Sequence, residues 1–315
     1  MKSIKRLLSV SESGIFLTVV LISLIVGLIN PVFFSFDNIM NVLHNTSFTL
    51  IVAIGMTFVL VSAGLDLSVG SFLALGSLFT GICLREGVPI PLALLIGIGV
   101  GAVGGWINGF IVVKFKIPPL ITTLGTMYMG RGLVLIITKG TPVYPLPEAF
   151  GKIDQGVAFG INYSVFIALI LAVIGHFVLT RTVFGRSVYA VGGNEETARL
   201  SGINVNRVKL VVYIIVGALS AVTGILTTSR LGSAQPNIGV SFEMEVISAV
   251  IIGGTSLFGG AGTILGTVLG ALFMNILANG MTLVHVSAYW QQFTVGLVII
   301  LAVGLDLYKR RKQGA

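Results

Sequence analysis

The sequence has few charged residues and almost no cysteine. Only 10% of its 315 residues are charged, whereas a soluble globular domain carries about 25%. So few charges cannot cover a surface that faces water, and the outer surface is therefore expected to meet lipid. The one cysteine, Cys83, excludes an internal disulfide, and the three histidines are scattered along the chain. We therefore expect a membrane protein without a metal site.

The sequence also lacks the motifs of nucleotide binding and catalysis. No G-x-x-x-x-G-K-[ST] segment occurs, so the chain does not bind ATP through a P-loop. Residues 99–104 match the dinucleotide pattern G-x-G-x-x-G, but no strand precedes them and they lie in an apolar run. No serine–histidine–aspartate set and no carboxylate pair stands out. We expect a chain that is not an enzyme and binds no cofactor itself. Any ATP that drives it must be hydrolysed by another chain.

Long apolar runs are abundant. Hydrophobic residues make up 55% of the chain, and the mean hydropathy is +1.03. A helix needs about 20 mostly apolar residues to cross a membrane. The runs predict an all-α, polytopic membrane protein, one domain of residues 1–315 with about ten transmembrane helices. The predicted spans are 14–30, 47–63, 67–84, 90–112, 117–138, 163–180, 210–229, 244–258, 262–283 and 288–306.

The basic residues indicate the direction of these spans. With the N-terminus in the cytoplasm, 14 of the 19 lysines and arginines fall on the cytoplasmic side, as the positive-inside rule predicts. The net charge of +8 therefore reports orientation and does not indicate a nucleic-acid partner. Both termini are predicted to be cytoplasmic, with long loops at 139–162 outside and 181–209 inside. The cytoplasmic set is Lys2, Lys5, Arg6, Lys114, Lys116, Arg181, Arg186, Arg199, Arg207, Lys209, Lys309, Arg310, Arg311 and Lys312.

Glycines recur at every fourth position in two of the predicted spans. This spacing places them on one face of a helix, where the missing side chains let a second helix approach closely. We predict two helix-packing surfaces. The first consists of Gly97, Gly101, Gly105 and Gly109, and the second of Gly262, Gly266 and Gly270.

An acidic residue separates the second span from the third, in the run Gly64-Leu65-Asp66-Leu67-Ser68-Val69-Gly70-Ser71. An acid within a membrane suggests a proton relay, as in a secondary transporter. Alternatively, Asp66 or Ser68 caps a helix that begins at Leu67. The predicted topology places Asp66 near the cytoplasmic boundary, which favours the cap.

The loop 181–209 contains the signals of a short helix. Asn194 is a suitable N-cap, and Glu195 and Glu196 then occupy the first turn, where the helix dipole favours negative charge. Gly202 suits the left-handed position that ends a helix. Because so short a helix is unstable in isolation, we expect it to lie against another surface.

These residues resemble a known family. The runs Gly55-Met56-Thr57 and Gly64 to Ser71 are similar to the signature of the bacterial ABC-importer permeases for ribose and related monosaccharides. Further runs fit this family along nearly the whole chain. They are Phe184-Gly185-Arg186, Tyr189-Ala190-Val191-Gly192-Gly193-Asn194-Glu195, Arg199-Leu200-Ser201-Gly202-Ile203, Ser233-Ala234-Gln235-Pro236 and Gly253-Gly254-Thr255-Ser256-Leu257.

The resemblance implies a membrane subunit of a sugar importer in the bacterial inner membrane, surrounded by lipid. It implies a second permease chain as partner, a periplasmic sugar-binding protein outside, and a cytoplasmic ATPase that binds ATP and Mg²⁺. The short helix of the loop 181–209 then matches the element that couples to the ATPase. Its residues are Asn194, Glu195, Glu196, Ala198, Arg199 and Gly202.

Two alternatives to a monosaccharide importer remain. A proton-coupled secondary transporter would use Asp66, and a related permease would carry a sugar-like signal molecule or a polyol. Polar residues in or near the spans are candidates for the path, although such residues more often form hydrogen bonds between helices or anchor the chain at the interface. The candidates are Asn108, Gln235, Asn275 and Asn279, with Trp106 and Trp290 as aromatic neighbours.

Overall fold

The computed structural model describes residues 10–312, and these are almost entirely helical. Lys2, Lys5 and Arg6, which enter the orientation argument, lie outside the described residues. The helices are α1 (Val10–Ile29), α2 (Phe36–Val61), α3 (Val69–Arg85), α4 (Ile90–Lys114), α5 (Pro119–Thr138), α6 (Glu148–Gln155), α7 (Tyr163–Arg181), α8 (Val183–Gly193), α9 (Glu195–Leu200), α10 (Val205–Leu231), α11 (Phe242–Ile252), α12 (Ile264–Leu283) and α13 (Ala288–Lys312). A 3₁₀ turn, Pro31–Phe34, follows α1, and a small antiparallel hairpin pairs β1 (Val157–Ala158) with β2 (Ile161–Asn162).

The predicted all-α, multi-pass architecture is confirmed at this level. Among the described residues, seven helices are long and apolar enough to cross a membrane: α1, α2, α4, α5, α7, α10 and α12. Of the three remaining predicted spans, two correspond to shorter apolar helical stretches, α3 and Ala288–Gly304 of α13, and the third corresponds to the 11-residue helix α11. Each predicted span therefore overlaps a helix, but only seven of the described helices are both long and apolar enough for a full crossing.

The predicted eighth span, 244–258, is wrong as a continuous helix. α11 has 11 residues, which rise about 17 Å, against a hydrocarbon core of about 30 Å. It ends at Ile252, and the irregular segment 253–263 follows. Gly254, Gly259 and Gly260 have φ of 87°, 83° and 72°. These positive φ values are incompatible with a continuing α-helix.

The predicted second span, 47–63, is part of a longer helix that begins at Phe36. Ser35 caps this helix, since its hydroxyl accepts a hydrogen bond from the Asn38 amide at 3.3 Å. The stretch 36–46 contains several polar side chains, and tertiary contacts satisfy them. For example, the side chains of Asn38 and Asn279 exchange hydrogen bonds, and His44 lies 2.9 Å from Asp154 in α6.

The two long loops are also more ordered than their composition indicates. The loop 139–162 holds α6 and the β-hairpin, while the loop 181–209 holds α8 as well as the predicted short helix α9. Thr182 caps α8 by accepting from the Gly185 amide at 3.1 Å.

The first row of glycines packs α4 against α10. A Cβ at Gly101 or Gly105 would collide with the backbone carbonyl of Gly217 or Tyr213, and one at Gly109 would come within 3.0 Å of the Leu210 Cα. A Cβ at Gly97 would meet α3. The two helix backbones are thus in direct contact, and α10 holds α2 and α3 from the same central position.

The second row differs from the prediction at one position. Gly266 and Gly270 pack against the backbone of Gly253 and Ala249 in and after α11. Gly262 precedes α12, with φ of 154°, and faces Thr255. Its assignment to a helix face is therefore wrong, because the helix begins only at Ile264, capped by Thr263.

The glycine contact predicts a difference between two alanine substitutions in one helix. Gly105→Ala must separate α4 from α10, and we expect a loss of about 1–3 kcal/mol, as for other overpacked sites. Gly99 has no neighbouring atom within 4 Å of an added Cβ, so Gly99→Ala should leave the stability unchanged or raise it. Thermal aggregation of the detergent-solubilised protein, followed by fluorescence-detected gel filtration, measures both. Equal melting temperatures would contradict the packing.

Candidate functional site

A cavity of 970 Å³ lies among four helices and is the candidate solute site. It is formed by the first half of α2, the start of α11, the second half of α12 and the first half of α13. Its size is that of a small-molecule site. The short helix α11 begins at this cavity, and broken helices whose ends meet a central cavity are typical of transporters.

Polar side chains from three helices meet in this cavity. Thr49 of α2 donates a hydrogen bond from Oγ1 to Glu245 Oε1 of α11 at 2.7 Å. Asn275 of α12 donates to Thr49 Oγ1 at 3.2 Å and to the Ala271 carbonyl at 3.0 Å. The lining also includes Asn41, Asn45, Asn279, Tyr289, Gln291 and Gln292. Amide and hydroxyl groups of this kind are suited to bind a neutral polar solute.

Two of the four path candidates from the sequence, Asn275 and Asn279, line this cavity. Asn108 does not, because it is fully buried beside Asp66. Gln235 also lies elsewhere, bonded to Ser233 within the loop after α10. Trp106 and Trp290 are 45% and 62% exposed, as expected for surface aromatic residues. Trp106 stacks on Phe110, and Trp290 meets Phe293 edge to face.

Glu245 was not among the residues singled out in the sequence, although a signal existed. It lies inside the predicted span 244–258, and an acid within a span is itself an indication of function. Thr49 carries no such signal, because threonine in an apolar helix usually bonds to its own backbone.

Asp66 forms a tight turn before α3 and does not cap the helix as predicted. Its Oδ1 accepts from the backbone amide of Ser68 at 2.8 Å and from the Ser68 hydroxyl. The helix begins at Val69, not Leu67, and Ser68 makes no side-chain cap. Asn108 donates to Ser68 Oγ at 2.8 Å. Asp66 therefore fixes the turn between α2 and α3 by hydrogen bonds to a neighbouring residue.

The Asp66 carboxyl lies in the connection 62–68, fully buried by protein. Burial raises the pKa of this carboxyl to about 6, although the hydrogen bonds from Ser68 and Asn108 act to lower it.

Gly64 and Gly70 flank the turn, and both lie close to atoms of neighbouring elements. A Cβ at Gly70 would collide with the Gly239 carbonyl, and one at Gly64 would lie 3.1 Å from the Tyr213 hydroxyl.

The short helix α9 has the geometry that the sequence predicts. Asn194 Oδ1 accepts from the Thr197 amide at 2.8 Å, and Gly202 ends the helix with φ of 82°. Ala198 is buried, whereas Leu200 is 85% exposed. Glu195 pairs with Arg199 at 3.1 Å and with Lys209 at 2.6 Å. Glu196 is exposed. The helix α9 is thus a six-residue helix with an exposed leucine and exposed charged side chains.

Hydrogen bonds connect α8, which precedes α9, to the segment that follows α11. The Tyr189 hydroxyl of α8 donates to the Gly262 carbonyl at 2.6 Å, and the Gly260 amide donates to Val61 at the end of α2 at 2.9 Å. The segment 253–263 between α11 and α12 is therefore bound to both α8 and α2.

Comparison with known proteins agrees with this architecture. A protein-family model described as "Branched-chain amino acid transport system / permease component" matches residues 38–303. The ribose import permease protein of Haemophilus influenzae is 42% identical over 306 residues, which cover 96% of this chain and 95% of the relative. That of Bacillus subtilis is 43% identical over 298 residues, 94% of this chain and 92% of the relative. An autoinducer 2 import system permease protein of an Enterobacter species is 34% identical over 302 residues, 96% of this chain and 88% of the relative. No solved structure matches the chain.

The Asp66 turn predicts opposite results for two substitutions. Asp66→Asn keeps an acceptor for the Ser68 amide and removes a buried charge, so the protein should be at least as stable as the wild type. Asp66→Ala leaves the buried amide and hydroxyl donors of Ser68 without their acceptor, which costs about 1–3 kcal/mol for each group. Thermal denaturation in detergent distinguishes them. A loss of stability that is equal in both variants would contradict the proposed hydrogen bonds.

Proposed function

The chain belongs to the family of permease components that includes the ribose import permeases, and we propose that it is the membrane subunit of an ATP-driven importer for a monosaccharide such as ribose. The observation that carries the proposal is identity of 42% to a ribose import permease over nearly the whole of both chains. The chain is a multi-pass protein of the inner membrane.

The lining of the cavity supports a sugar as the solute. Hydroxyl-rich solutes need both donors and acceptors, and the amides and hydroxyls of the lining offer both. A sugar-like signal molecule or a polyol is a second candidate, favoured by the 34% identity to a permease named for autoinducer 2 import.

The proposed topology has ten membrane segments and cytoplasmic termini, with α11 and the segment 253–263 together making one crossing. The distribution of basic residues supports it. In this orientation the cavity lies in the periplasmic half, on the side of the loop 139–162, and α8 and α9 lie in the cytoplasm.

The proposed partners are a second copy of this chain, a periplasmic sugar-binding protein and a cytoplasmic ATPase. ATP and Mg²⁺ would be bound by the ATPase, since this sequence contains no P-loop. Lipid surrounds the membrane segments, and no nucleic acid is involved. The exposed Leu200 and the charges of α9 support a docking contact with the ATPase, because a helix of six residues needs a surface to hold it.

The alternative of a proton-coupled secondary transporter has less support. Asp66 is sealed from solvent and held by Ser68 and Asn108, and it does not line the cavity. A proton carrier would require the carboxyl itself, so uptake by Asp66→Asn near zero, with normal abundance in the membrane, would favour the alternative.

The docking role of α9 predicts different effects of valine and asparagine at Gly202. An added Cβ at this position meets no atom within 4 Å. The two substitutions therefore differ only in how well each residue adopts the left-handed backbone conformation. Valine is strained there by about 1–2 kcal/mol, whereas asparagine is tolerated. We expect Gly202→Val to lower ribose uptake and sugar-stimulated ATPase activity about tenfold, and Gly202→Asn to retain most of both.

Charge reversal at the same helix provides a second measurement. Arg199 is 62% exposed in its ion pair with Glu195, and such pairs contribute little to folding. Arg199→Glu should therefore insert normally but lower stimulated ATPase activity in the reconstituted complex. If Gly202→Val and Arg199→Glu both keep wild-type uptake and ATPase rates, α9 is not the coupling element. Absence of ribose uptake by the wild-type complex, with its binding protein present, would contradict the proposed solute.

A further inference from the structure

The hairpin between α6 and α7 ends in a phenylalanine that projects from the protein. Phe159 is 97% exposed, and no residue from Gly156 to Tyr163 is charged. An exposed apolar tip of this kind indicates a partner outside the chain. We propose that the hairpin is a membrane anchor, which lies among phospholipid headgroups and inserts the Phe159 side chain into the bilayer. The inference rests on the location of the chain in a membrane, not on its solute or its direction.

The backbone of the turn disfavours phenylalanine. The strands pair Val157 with Asn162 and Ala158 with Ile161, so Phe159 and Gly160 are the two central residues of the turn. Both have positive φ, 54° and 80°, as in a type I′ turn, where asparagine, aspartate and glycine are preferred. A bulky side chain is strained in this region. Because Phe159 suits neither the turn nor the protein interior, we attribute its presence to a contact outside the folded chain.

The hairpin lies at the end of a helix that is long enough to cross the membrane. Tyr163 follows β2 directly and begins α7. It is 42% exposed, and Ile170, Ile174 and Phe177 are 59%, 53% and 59% exposed. Their spacing places all four on one face of the helix. In a multi-pass membrane protein lipid covers such an apolar face, and this one extends up to the residue that follows the hairpin.

A second aromatic residue lies beside the turn. A Cβ at Gly160 would lie 3.3 Å from the Phe36 ring, at the start of α2. Phe36 is 63% exposed, and it follows the 3₁₀ turn after α1, whose last residue Ile29 is 65% exposed. Exposed aromatic residues at the ends of membrane helices are typical of the membrane–water interface. The apolar surface of the hairpin is therefore continuous with surfaces that face lipid.

The backbone limits how deeply such a hairpin inserts. Each strand of a two-stranded hairpin has one edge without a neighbouring strand. The amides and carbonyls of such edges need water or headgroups as partners, which the hydrocarbon core does not supply. A phenylalanine ring at the tip carries no such requirement. Insertion of the Phe159 side chain, with the strands left in the headgroup region, therefore satisfies both parts of the hairpin.

The anchor also fixes the position of α6. This helix directly precedes the hairpin, and its Asp154 binds two other helices. The Asp154 carboxylate lies 2.9 Å from His44 Nε2 of α2, and the Asp154 amide donates to Ser229 Oγ of α10 at 3.1 Å. A hairpin held by lipid therefore keeps α6 and its contacts with α2 and α10 at a constant level relative to the bilayer.

The test places a tryptophan at the turn of the full chain, in liposomes of phosphatidylethanolamine and phosphatidylglycerol. Trp106 and Trp290 are first replaced by phenylalanine. Phe159→Trp is then compared with Glu148→Trp, at an exposed position in the first turn of α6. With lipids brominated near the headgroup end of the acyl chains, the fluorescence of Phe159→Trp should fall about twofold, and that of Glu148→Trp should not change. Iodide in the water should quench Glu148→Trp more strongly than Phe159→Trp.

Three outcomes of this experiment overturn the anchor. Quenching of Phe159→Trp by iodide and not by brominated lipid would place the turn in water. Protection from both quenchers would mean that a protein, such as a second copy of this chain, covers the turn. Equal quenching of both variants by brominated lipid would mean that the hairpin does not differ from the rest of the loop 139–162.

A second variant separates the lipid contact from the turn itself. Asparagine suits a positive φ, so Phe159→Asn should stabilise the hairpin if only the turn matters. Loss of the anchor has the opposite effect, since the hairpin then opens more often. Hydrogen-exchange mass spectrometry of residues 156–163 in lipid nanodiscs measures this opening. We expect exchange in Phe159→Asn about tenfold faster than in the wild type. Exchange that is equal or slower would overturn the anchor, and neither result bears on the proposed function, because no solute is involved.

Discussion

The structure depends on a constraint of the bilayer: a backbone amide or carbonyl without a partner costs several kcal/mol there, so a chain may leave the helical form only where protein encloses it. Two of the places where the chain leaves it are the turn 62–68 and the segment 253–263, and neighbouring elements supply hydrogen-bond partners at both. At the first, Asp66 supplies the acceptor for the Ser68 amide. At the second, the ends of α2 and α8 supply partners for Gly260 and Gly262. The glycines of α4 contribute by bringing α10 close enough to complete the enclosure.

These breaks connect the two functional regions. Because α11 stops at Ile252, one of its ends lies at the cavity and the other meets the segment 253–263. That segment contacts α8, which leads directly into α9. A movement of α9 imposed by an ATPase would therefore reach Glu245 through three packed elements. The contacts establish physical continuity between α9 and the cavity.

Much of this architecture could be predicted from the sequence, because apolar runs of the right length specify helices and glycines four residues apart specify contacts between them. The capped helix α9 was also predictable, since Asn194 and Gly202 act through local backbone geometry. What could not be predicted depends on distant partners. The start of α2 is too polar to resemble a span until Asp154 and Asn279 are known to satisfy His44 and Asn38. Likewise, the sequence does not reveal that Asn108 faces Asp66 and not the solute cavity.

We propose that the cavity between α2, α11, α12 and α13 opens to the periplasm and admits the solute. Ala278 lines this cavity and is exposed, whereas Val183, 70% exposed at the start of α8, lies on the proposed cytoplasmic face. Each is replaced by cysteine in a background without Cys83, and intact spheroplasts are treated with a membrane-impermeant thiol reagent. We predict that Ala278→Cys reacts, that ribose uptake then stops, and that Val183→Cys reacts only after permeabilisation. Full uptake by modified Ala278→Cys, or reaction of Val183→Cys in intact spheroplasts, would contradict it.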